Sequence, residues 1–412
     1  MLMFWVNHFA VSDTSDERAF YDYLTLLRKH ALGNFRTLVK EVTINPAMLE
    51  FLHGRFSYVD SPNENYPREL LELYTVGIGA PNEPRYTEKD IVAMSRVLTG
   101  WRVKNYWSTV EGPIEAYFQA DWHDTGDKQL SAHFNHAVIR NEGAREYETL
   151  IDIIFEHPET SRSICRNLYI FFASGDITAA VERDIIAPLA RILVDNNYEI
   201  RPVMRALLSS EHFFSRQVQG AIIKSPYEFI VSMVRSAGGY GYLNLDLRTL
   251  YDLLFSFQLK AEQLGMDFMV PPTVSGWVAY YRSPSFHRNW INGTTLKLRR
   301  QLAEETCVKG IWSRDKQRPL NWLGLLASLS NPNDINAVID DIVTVFLPRA
   351  ISDSQTAVLK EILNENLPDF EWSVEYSLFQ QNGPKSNEAR ILDTKFKRLF
   401  RHLCDMPEFH LQ

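Results

Sequence analysis

The residues best suited to chemistry in this chain lie in one short segment, NENYPRELLELYTVGIG at positions 63–79. Glu64, Arg68 and Glu72 recur at intervals of four, so an α-helix places them along one face. Such a row is often a solvated set of ion pairs worth roughly 0.2–0.5 kcal/mol each. Glu69 falls instead at the edge of the apolar face, where a half-buried carboxylate needs a cation, a donor or a metal. Glu69 is the first catalytic candidate of this segment, with Arg68 as its rival and Glu64 as a further candidate.

Histidines and an aspartate supply the other candidates for acid/base or metal chemistry. His123 and Asp124 open the loop HDTGDK (123–128), where they can act as a base, a ligand or part of a turn. His8 lies in the aromatic run FWVNHF, in which a buried, hydrogen-bonded histidine is the common alternative to a ligand. We predict Asp124 as a catalytic candidate and His8 and His123 as candidate ligands of a divalent metal.

Tryptophans are the candidate ligand-binding residues. Trp277 and Trp290 lie in the aromatic, proline-rich segment PPTVSGWVAYYRSPSFHRNW (271–290), and Trp101 ends the segment SRVLTGW. Exposed aromatic rings stack on sugars or other ligands, although such loops also pack onto their own core.

Several common catalytic signatures are missing from the sequence. There is no HExxH zinc helix, no Walker loop, no GxGxxG after a strand and no GxSxG nucleophile elbow. The three cysteines, Cys165, Cys307 and Cys404, fit no metal or redox spacing. An enzyme built from this chain would therefore assemble its site from carboxylates and histidines that are distant in sequence.

Caps and helix breakers predict a mainly α, multi-helical globular bundle. Thr87 with Asp90, and Ser225 with Pro226 and Glu228, are typical helix starts. Residues 103–140 interrupt the helical pattern and predict a small β-hairpin or an irregular insert. The predicted organisation is a helical part at 1–102, the insert at 103–144, a helical part at 145–300 with an aromatic loop at 265–292, and a helical part at 301–412. All four could also form one family domain.

Composition favours a globular protein with a sizeable core. The chain has 412 residues, 45% of them hydrophobic, and a formal net charge of −8. That charge argues against nucleic acid as the main ligand. No apolar run reaches the length of a membrane span. Residues 1–11, MLMFWVNHFAV, lack a basic start and a small-residue cleavage site, so we predict a core segment rather than a signal peptide.

A series of segments in a fixed order carries a family resemblance. They are FWVNHFAVS (4–12), LRKHALGNFRTLVKEVTINPAML (27–49), NENYPRELLELYTVGIG (63–79), YTEKDIVAMSRVLTGW (86–101), HDTGDK (123–128), EHPETSRSICRNLYIFF (156–172), KSPYEF (224–229), PPTVSGW (271–277) and PEFHLQ (407–412). With them the chain resembles the bacterial family called domain of unknown function 1800. The resemblance implies a mostly helical, periplasmic or exported protein, often encoded beside a sulfatase-like partner, and it implies no proven reaction. Members of that family usually carry a signal peptide and a further region before FWVNHF, whereas this sequence begins almost inside that segment.

Two functional hypotheses follow. The first is an accessory or scaffold protein that works with the sulfatase-like partner and uses its buried polar motifs to hold helices in register. The second is a hydrolase or lyase acting on a polysaccharide or other polymer through Glu, Asp and His residues, with or without a metal. A closed network around Arg68 and Glu69 would favour the first, and an open pocket with unpaired carboxylates the second.

Overall fold

The computed structural model describes residues 1–12, 16–80, 82–107, 112–236, 245–313 and 316–412. The chain forms two compact units. The first comprises Met1–Phe214 with Met269–Phe286, and the second comprises Ser215–Phe268 with His287–Gln412. Among the described residues, no helix combines the length and the apolar character that crossing a membrane requires.

Helices build most of the first unit. They are α1 (Leu2–His8), α2 (Glu17–Lys29), α3 (Phe35–Thr43), α4 (Pro46–Phe51), α5 (Asn65–Glu69), α6 (Glu88–Val97), α7 (Glu146–Glu156), α8 (Pro158–Phe172), α9 (Ala179–Val181), α10 (Ala187–Asp195) and α11 (Ile200–Leu208). Two π-helical turns continue α5 and α9, at Leu70–Tyr74 and Glu182–Ile186. The second stretch of this unit, Met269–Phe286, is called the returning segment below. It carries one helical turn, Val278–Tyr281.

Short antiparallel strand pairs lie before and within the region predicted as an insert. β1 (Gly79–Ala80) pairs with β2 (Glu83–Pro84) ahead of that region, whereas β3 (Trp101–Lys104) pairs with β4 (Glu115–Phe118) and β5 (Lys128–Gln129) with β6 (Val138–Ile139) at 101–139. Single 3-10 turns follow β4, β5 and β6, at Ala120–Trp122, Ala132–Phe134 and Gly143–Arg145. The prediction of a mainly α fold with a small β insert is therefore confirmed.

Side-chain caps fix where the helices of the first unit begin. Asn34 accepts a hydrogen bond from the Thr37 amide at 3.0 Å. Thr87 and Asp90 form the predicted capping box at the start of α6. Between the helices lies an aromatic core in which Trp5 stacks on Phe35 with ring centroids 5.6 Å apart.

The second unit is helical around its own apolar core. Its helices are α12 (Pro226–Ser236), α13 (Leu247–Gln263), α14 (Gly293–Glu304), α15 (Trp322–Ser328), α16 (Ile335–Phe346), α17 (Asp353–Asn364), α18 (Asp369–Asn382) and α19 (Asn387–Asp405). A π turn at Glu305–Lys309 and the strand pair β7 (Ile311–Ser313) and β8 (Lys316–Arg318) follow α14. Phe400 of α19 stacks on Trp322 at 4.2 Å and packs edge-on against Phe346, so α19 runs through this core.

A close backbone contact ties α1 to the returning segment of the first unit. The Asn7 side chain accepts a hydrogen bond from the Trp277 amide at 2.9 Å. Gly276 lies directly against Asn7, and a Cβ atom at Gly276 would meet the Asn7 Oδ1 atom at 2.3 Å. Gly276 also has a φ of +90°, which L side chains rarely adopt. Only glycine satisfies both conditions.

Replacing Gly276 with alanine should therefore destabilise the protein strongly. We expect Gly276→Ala to lower the free energy of unfolding by roughly 3 kcal/mol or more, because the strained φ and the contact with Asn7 add together. Gly265→Ala is the matched control, since Gly265 has a φ of +94° and nothing within 4 Å of the added Cβ. Chemical denaturation measures both. Equal losses in the two variants would show that the contact with Asn7 costs nothing.

Candidate functional site

A small enclosed pocket lies in the first unit and has polar walls. Its volume is about 140 Å³. One water molecule needs roughly 10–15 Å³ on the same scale, so the pocket can hold a ligand rather than a single water. Four separate segments supply its walls: α1, the π turn, α8 and the returning segment. The residues are Phe4, Asn7, His8, Glu72, Leu73, Ser163, Asn167, Phe171, Ser275, Tyr280 and Tyr281.

His8 is held in one protonation state by its surroundings. Its Nε2 atom lies 3.0 Å from the Tyr74 carbonyl oxygen, which can only accept, so Nε2 carries the proton. Burial lowers the pKa of His8 to about 4, although the Tyr74 carbonyl opposes the shift. The ring is neutral at pH 7, and Nδ1 is left as a hydrogen-bond acceptor on a residue that lines the pocket.

Glu72 is the carboxylate of the pocket. The Tyr86 hydroxyl donates a hydrogen bond to Glu72 Oε1, and Arg68 Nη1 lies 3.9 Å from the same oxygen. The sequence placed Glu72 in a row with Glu64 and Arg68, and Glu72 keeps its i, i+4 spacing to Arg68 although the chain widens into the π turn Leu70–Tyr74. Glu72 therefore belongs both to the partly exposed ion-pair row and to the wall of the pocket.

The sequence-predicted residues Arg68, Glu64 and Glu69 lie outside the lining of this pocket. Arg68 pairs with Glu64 at 3.3 Å and with Glu88 at 2.8 Å, in a partly exposed ion-pair cluster. Glu69 is half-buried and has a raised pKa, first because of burial and second because of the neighbouring Glu72 carboxylate, while Arg68 opposes the shift. No part of the described chain donates a hydrogen bond to Glu69.

His123 lies in a second, fully buried polar cluster. Its Nε2 is 2.8 Å from Glu146, and its Nδ1 is 2.9 Å from the Thr99 carbonyl. Lys128 donates to the other Glu146 oxygen at 2.7 Å, and the side chains of Lys128 and Glu146 are both 0% exposed. Burial raises the pKa of Glu146, but the hydrogen bonds from His123 and Lys128 outweigh it and hold the pKa below its usual range. Both nitrogens of His123 are thus occupied by protein groups.

Asp124 is paired with Arg96 of α6. Arg96 binds both Asp124 oxygens, at 2.6 and 2.9 Å, and the Gly126 amide donates to the same carboxylate at 2.8 Å. The Arg96 guanidinium holds the pKa of Asp124 below its usual range, against the effect of burial. A carboxylate paired in this way is a poor proton acceptor and serves to fix the loop 123–128.

The three predicted ligand-binding tryptophans are interior residues. Trp101, Trp277 and Trp290 are 9%, 1% and 5% exposed. Trp101 packs edge-on against Phe118 and Tyr147. The phenylalanine and tyrosine rings of the pocket are instead Phe4, Phe171, Tyr280 and Tyr281, of which Phe171 and Tyr280 stack on one another at 4.5 Å.

Metal ligation is not prearranged among the described residues. In that part of the chain, no group of three or more His, Cys, Asp or Glu side chains is placed to hold a metal ion. His8 and His123, the two candidate metal ligands, have no common partner: His8 contacts Tyr74, whereas His123 contacts Thr99 and Glu146.

Sequence reasoning missed most residues of the pocket. Asn7, Ser163 and Asn167 each lie in a segment that carries the family resemblance, but none has a spacing that marks it as functional. The only available signal was that FWVNHF, NENYPRELLELYTVGIG, SRSICRNLYIFF and PPTVSGW all mix aromatic and polar residues. Their meeting at one pocket depends on the tertiary fold.

Comparison with known families agrees with these segments. A family model described as "Protein of unknown function (DUF1800)" matches residues 1–411. The chain belongs to the DUF1800 family. No curated protein and no solved structure matches it.

The buried cluster around Glu146 should be essential for stability in this DUF1800 protein. Glu146→Gln leaves the buried Lys128 ammonium without a counter-charge in the interior, so we expect the free energy of unfolding to fall by roughly 3–5 kcal/mol. Glu115→Gln is the matched control, because Glu115 and Lys104 form an ion pair whose side chains are 47% and 51% exposed. That variant should lose less than about 1 kcal/mol. Comparable losses by thermal or chemical denaturation would contradict the assignment.

His8 should make the protein less stable as the pH falls from 6.5 to 4. In this window the unfolded chain takes up the proton before the folded chain, because burial lowers the pKa of His8 in the folded state to about 4. The difference corresponds to roughly 2.5 kcal/mol between pH 7 and pH 4.5. Denaturation curves at the two pH values should show a smaller loss in His8→Gln than in the unchanged protein. His136→Gln, at an exposed position, should keep the full loss, and a full loss in His8→Gln would refute this role.

Proposed function

We propose that this protein binds a neutral, hydroxyl-rich ligand, such as one sugar unit of a polysaccharide, in the pocket of the first unit. The observation that carries the proposal is the composition of the pocket wall. It combines the Glu72 carboxylate, the amides of Asn7 and Asn167, the hydroxyls of Ser163 and Ser275, and aromatic rings. Carboxylates and amides bind pairs of hydroxyl groups, while rings pack against the apolar face of a sugar.

The charge of the lining argues for a neutral or amino-bearing ligand. No lysine or arginine is among the residues that line the pocket, and its acidic group is Glu72. His8 adds no charge at pH 7, since its pKa is about 4. A phosphate, sulfate or uronate group would meet the Glu72 carboxylate there, whereas Arg68, the cation 3.9 Å from that carboxylate, lies outside the lining. Asn7 contributes mainly as a donor, because its side-chain oxygen already accepts the Trp277 amide.

A binding role fits the protonation of the site better than catalysis. A general base works best when its pKa is near the working pH, and a histidine with a pKa of about 4 accepts protons weakly at pH 7. The polar clusters of Glu146 and Asp124 are closed by protein partners, as expected of groups that hold helices and loops in register. We therefore propose an accessory ligand-binding protein, and on the family resemblance we propose a sulfatase-like protein as its partner on the same polymer.

The second candidate function is a hydrolase or lyase that uses the same pocket. It is favoured by one observation, that the His8 ring and the Glu72 carboxylate line one pocket. A base and a carboxylate in one site can move a proton during cleavage of a glycosidic bond. Product formation from a bound oligosaccharide, abolished by His8→Gln, would favour this function over binding alone.

Binding should be tested with a panel of neutral, amino and acidic oligosaccharides, first by thermal shift and then by calorimetry. We expect neutral or amino sugars to bind and acidic sugars to fail. Glu72→Gln and Asn167→Ala should each weaken binding by about tenfold, which is what loss of one buried hydrogen bond of about 1.4 kcal/mol predicts.

Glu88→Gln is the matched control for this experiment. It also removes a carboxylate from Arg68, but Glu88 is 71% exposed and lies outside the pocket lining. Its affinity should equal that of the unchanged protein. The proposal is wrong if no saccharide binds, or if Glu88→Gln weakens binding as much as Glu72→Gln.

A further inference from the structure

Three basic side chains are buried together in the second unit. Lys224, Arg299 and His410 are 8%, 0% and 4% exposed. Backbone pairing brings two of them side by side, because the Lys224 amide donates to the His410 carbonyl at 2.8 Å. Arg299 of α14 reaches the same place and donates through Nη2 to the Lys224 carbonyl at 2.7 Å. We call these three residues the basic cluster.

Most donors of the basic cluster have no partner in the described part of the chain. The Nε and Nη1 atoms of Arg299 and both ring nitrogens of His410 are buried without a hydrogen bond. Lys224 uses one of its three N–H groups, on the Phe409 carbonyl at 2.8 Å. Arg299 lies over the Phe229 ring at 4.9 Å, and the His410 ring stacks on the same phenylalanine at 5.2 Å. Buried charges without partners are costly, so this arrangement needs a further ligand.

The nearest acidic side chains, Glu228 and Asp405, do not pair with the basic cluster. Glu228 accepts from the Ser225 amide at 2.7 Å and from the Gln412 side chain at 3.0 Å. Asp405 pairs with Arg300 at 3.1 Å. Within the described residues, neither carboxylate comes within 4 Å of a nitrogen of the basic cluster. Lys224 and Arg299 contribute two positive charges and Glu228 one negative charge, so one positive charge remains uncompensated.

We propose that the basic cluster is a binding site for a small oxyanion such as inorganic phosphate, sulfate or a carboxylate. The ligand would reach it along the surface groove of about 510 Å³ that Lys224 lines together with Tyr227 and Glu228. The Tyr227 hydroxyl on this groove is also without a partner and adds a neutral donor. A monoanion balances the remaining charge, and a dianion is balanced when His410 binds a proton.

The pKa shifts of the basic cluster agree with this proposal. Burial lowers the pKa of Lys224 to about 8, of Arg299 to about 10 and of His410 to about 4. The cations of the cluster add to the lowering at His410. A bound anion would favour the charged form of each group and reverse the direction of these shifts.

The test uses the full chain and three probes, sodium phosphate, sodium sulfate and sodium acetate, each compared with sodium chloride at equal ionic strength. We expect at least one oxyanion to raise Tm in a saturable way and to show binding by calorimetry. Lys224→Met should weaken that binding by about tenfold or more, because a charge-assisted hydrogen bond is lost. Arg300→Met, the neighbouring exposed position on α14, should bind as the unchanged protein does.

A second readout keeps the test valid if a variant folds poorly. In the unchanged protein, saturating oxyanion should raise the pKa of His410 measured by NMR, whereas chloride should leave it in place. The proposal fails if no oxyanion stabilises the protein more than chloride, which would mean that water alone satisfies these donors. It also fails if Lys224→Met retains full binding. The outcome is independent of saccharide binding in the first unit.

Discussion

The hydrogen bond from His8 Nε2 to the Tyr74 carbonyl is the contact on which the pocket of the first unit depends. Tyr74 is the last residue of the π turn Leu70–Tyr74. The same bond therefore anchors α1, fixes which nitrogen of His8 is protonated, and leaves Nδ1 as an acceptor. A π turn is uncommon and costs regular hydrogen bonding, so its occurrence here agrees with a functional role for this segment.

Three parts of the molecule differ in how completely their charged side chains are paired. Around Glu146, Lys128 and His123 enclose one carboxylate, and every group is occupied. In the pocket, Glu72 accepts a hydrogen bond from the Tyr86 hydroxyl and keeps the capacity to accept further hydrogen bonds. In the basic cluster of the second unit, cations are buried without an anion in contact. Closed clusters stabilise a fold, whereas incomplete ones indicate where a ligand supplies the missing partner.

Local sequence signals predicted most of the helices and the mainly α fold. The Thr87–Asp90 and Ser225–Glu228 capping boxes both formed, because each depends only on residues three positions apart. Glu72 could not be assigned to a pocket from the sequence, because the pocket forms only where α1, α8 and the returning segment meet the π turn. Arg96 could not be paired with Asp124 for a similar reason, since 28 positions separate them and only the folded loop brings them together.

With its proton held on Nε2, His8 presents an unprotonated Nδ1 to the ligand that we propose for the pocket lined by Glu72. The most direct measurement is the pair of ¹⁵N chemical shifts of the His8 ring, recorded at pH 7 while the tightest-binding saccharide is added. We predict a neutral ring with the proton on Nε2, and a saturable change in the Nδ1 shift as the ligand binds. A protonated ring or a proton on Nδ1 would show that Nδ1 is not an acceptor at pH 7. An Nδ1 shift that stays unchanged when a saccharide binds would show that the ligand does not contact His8.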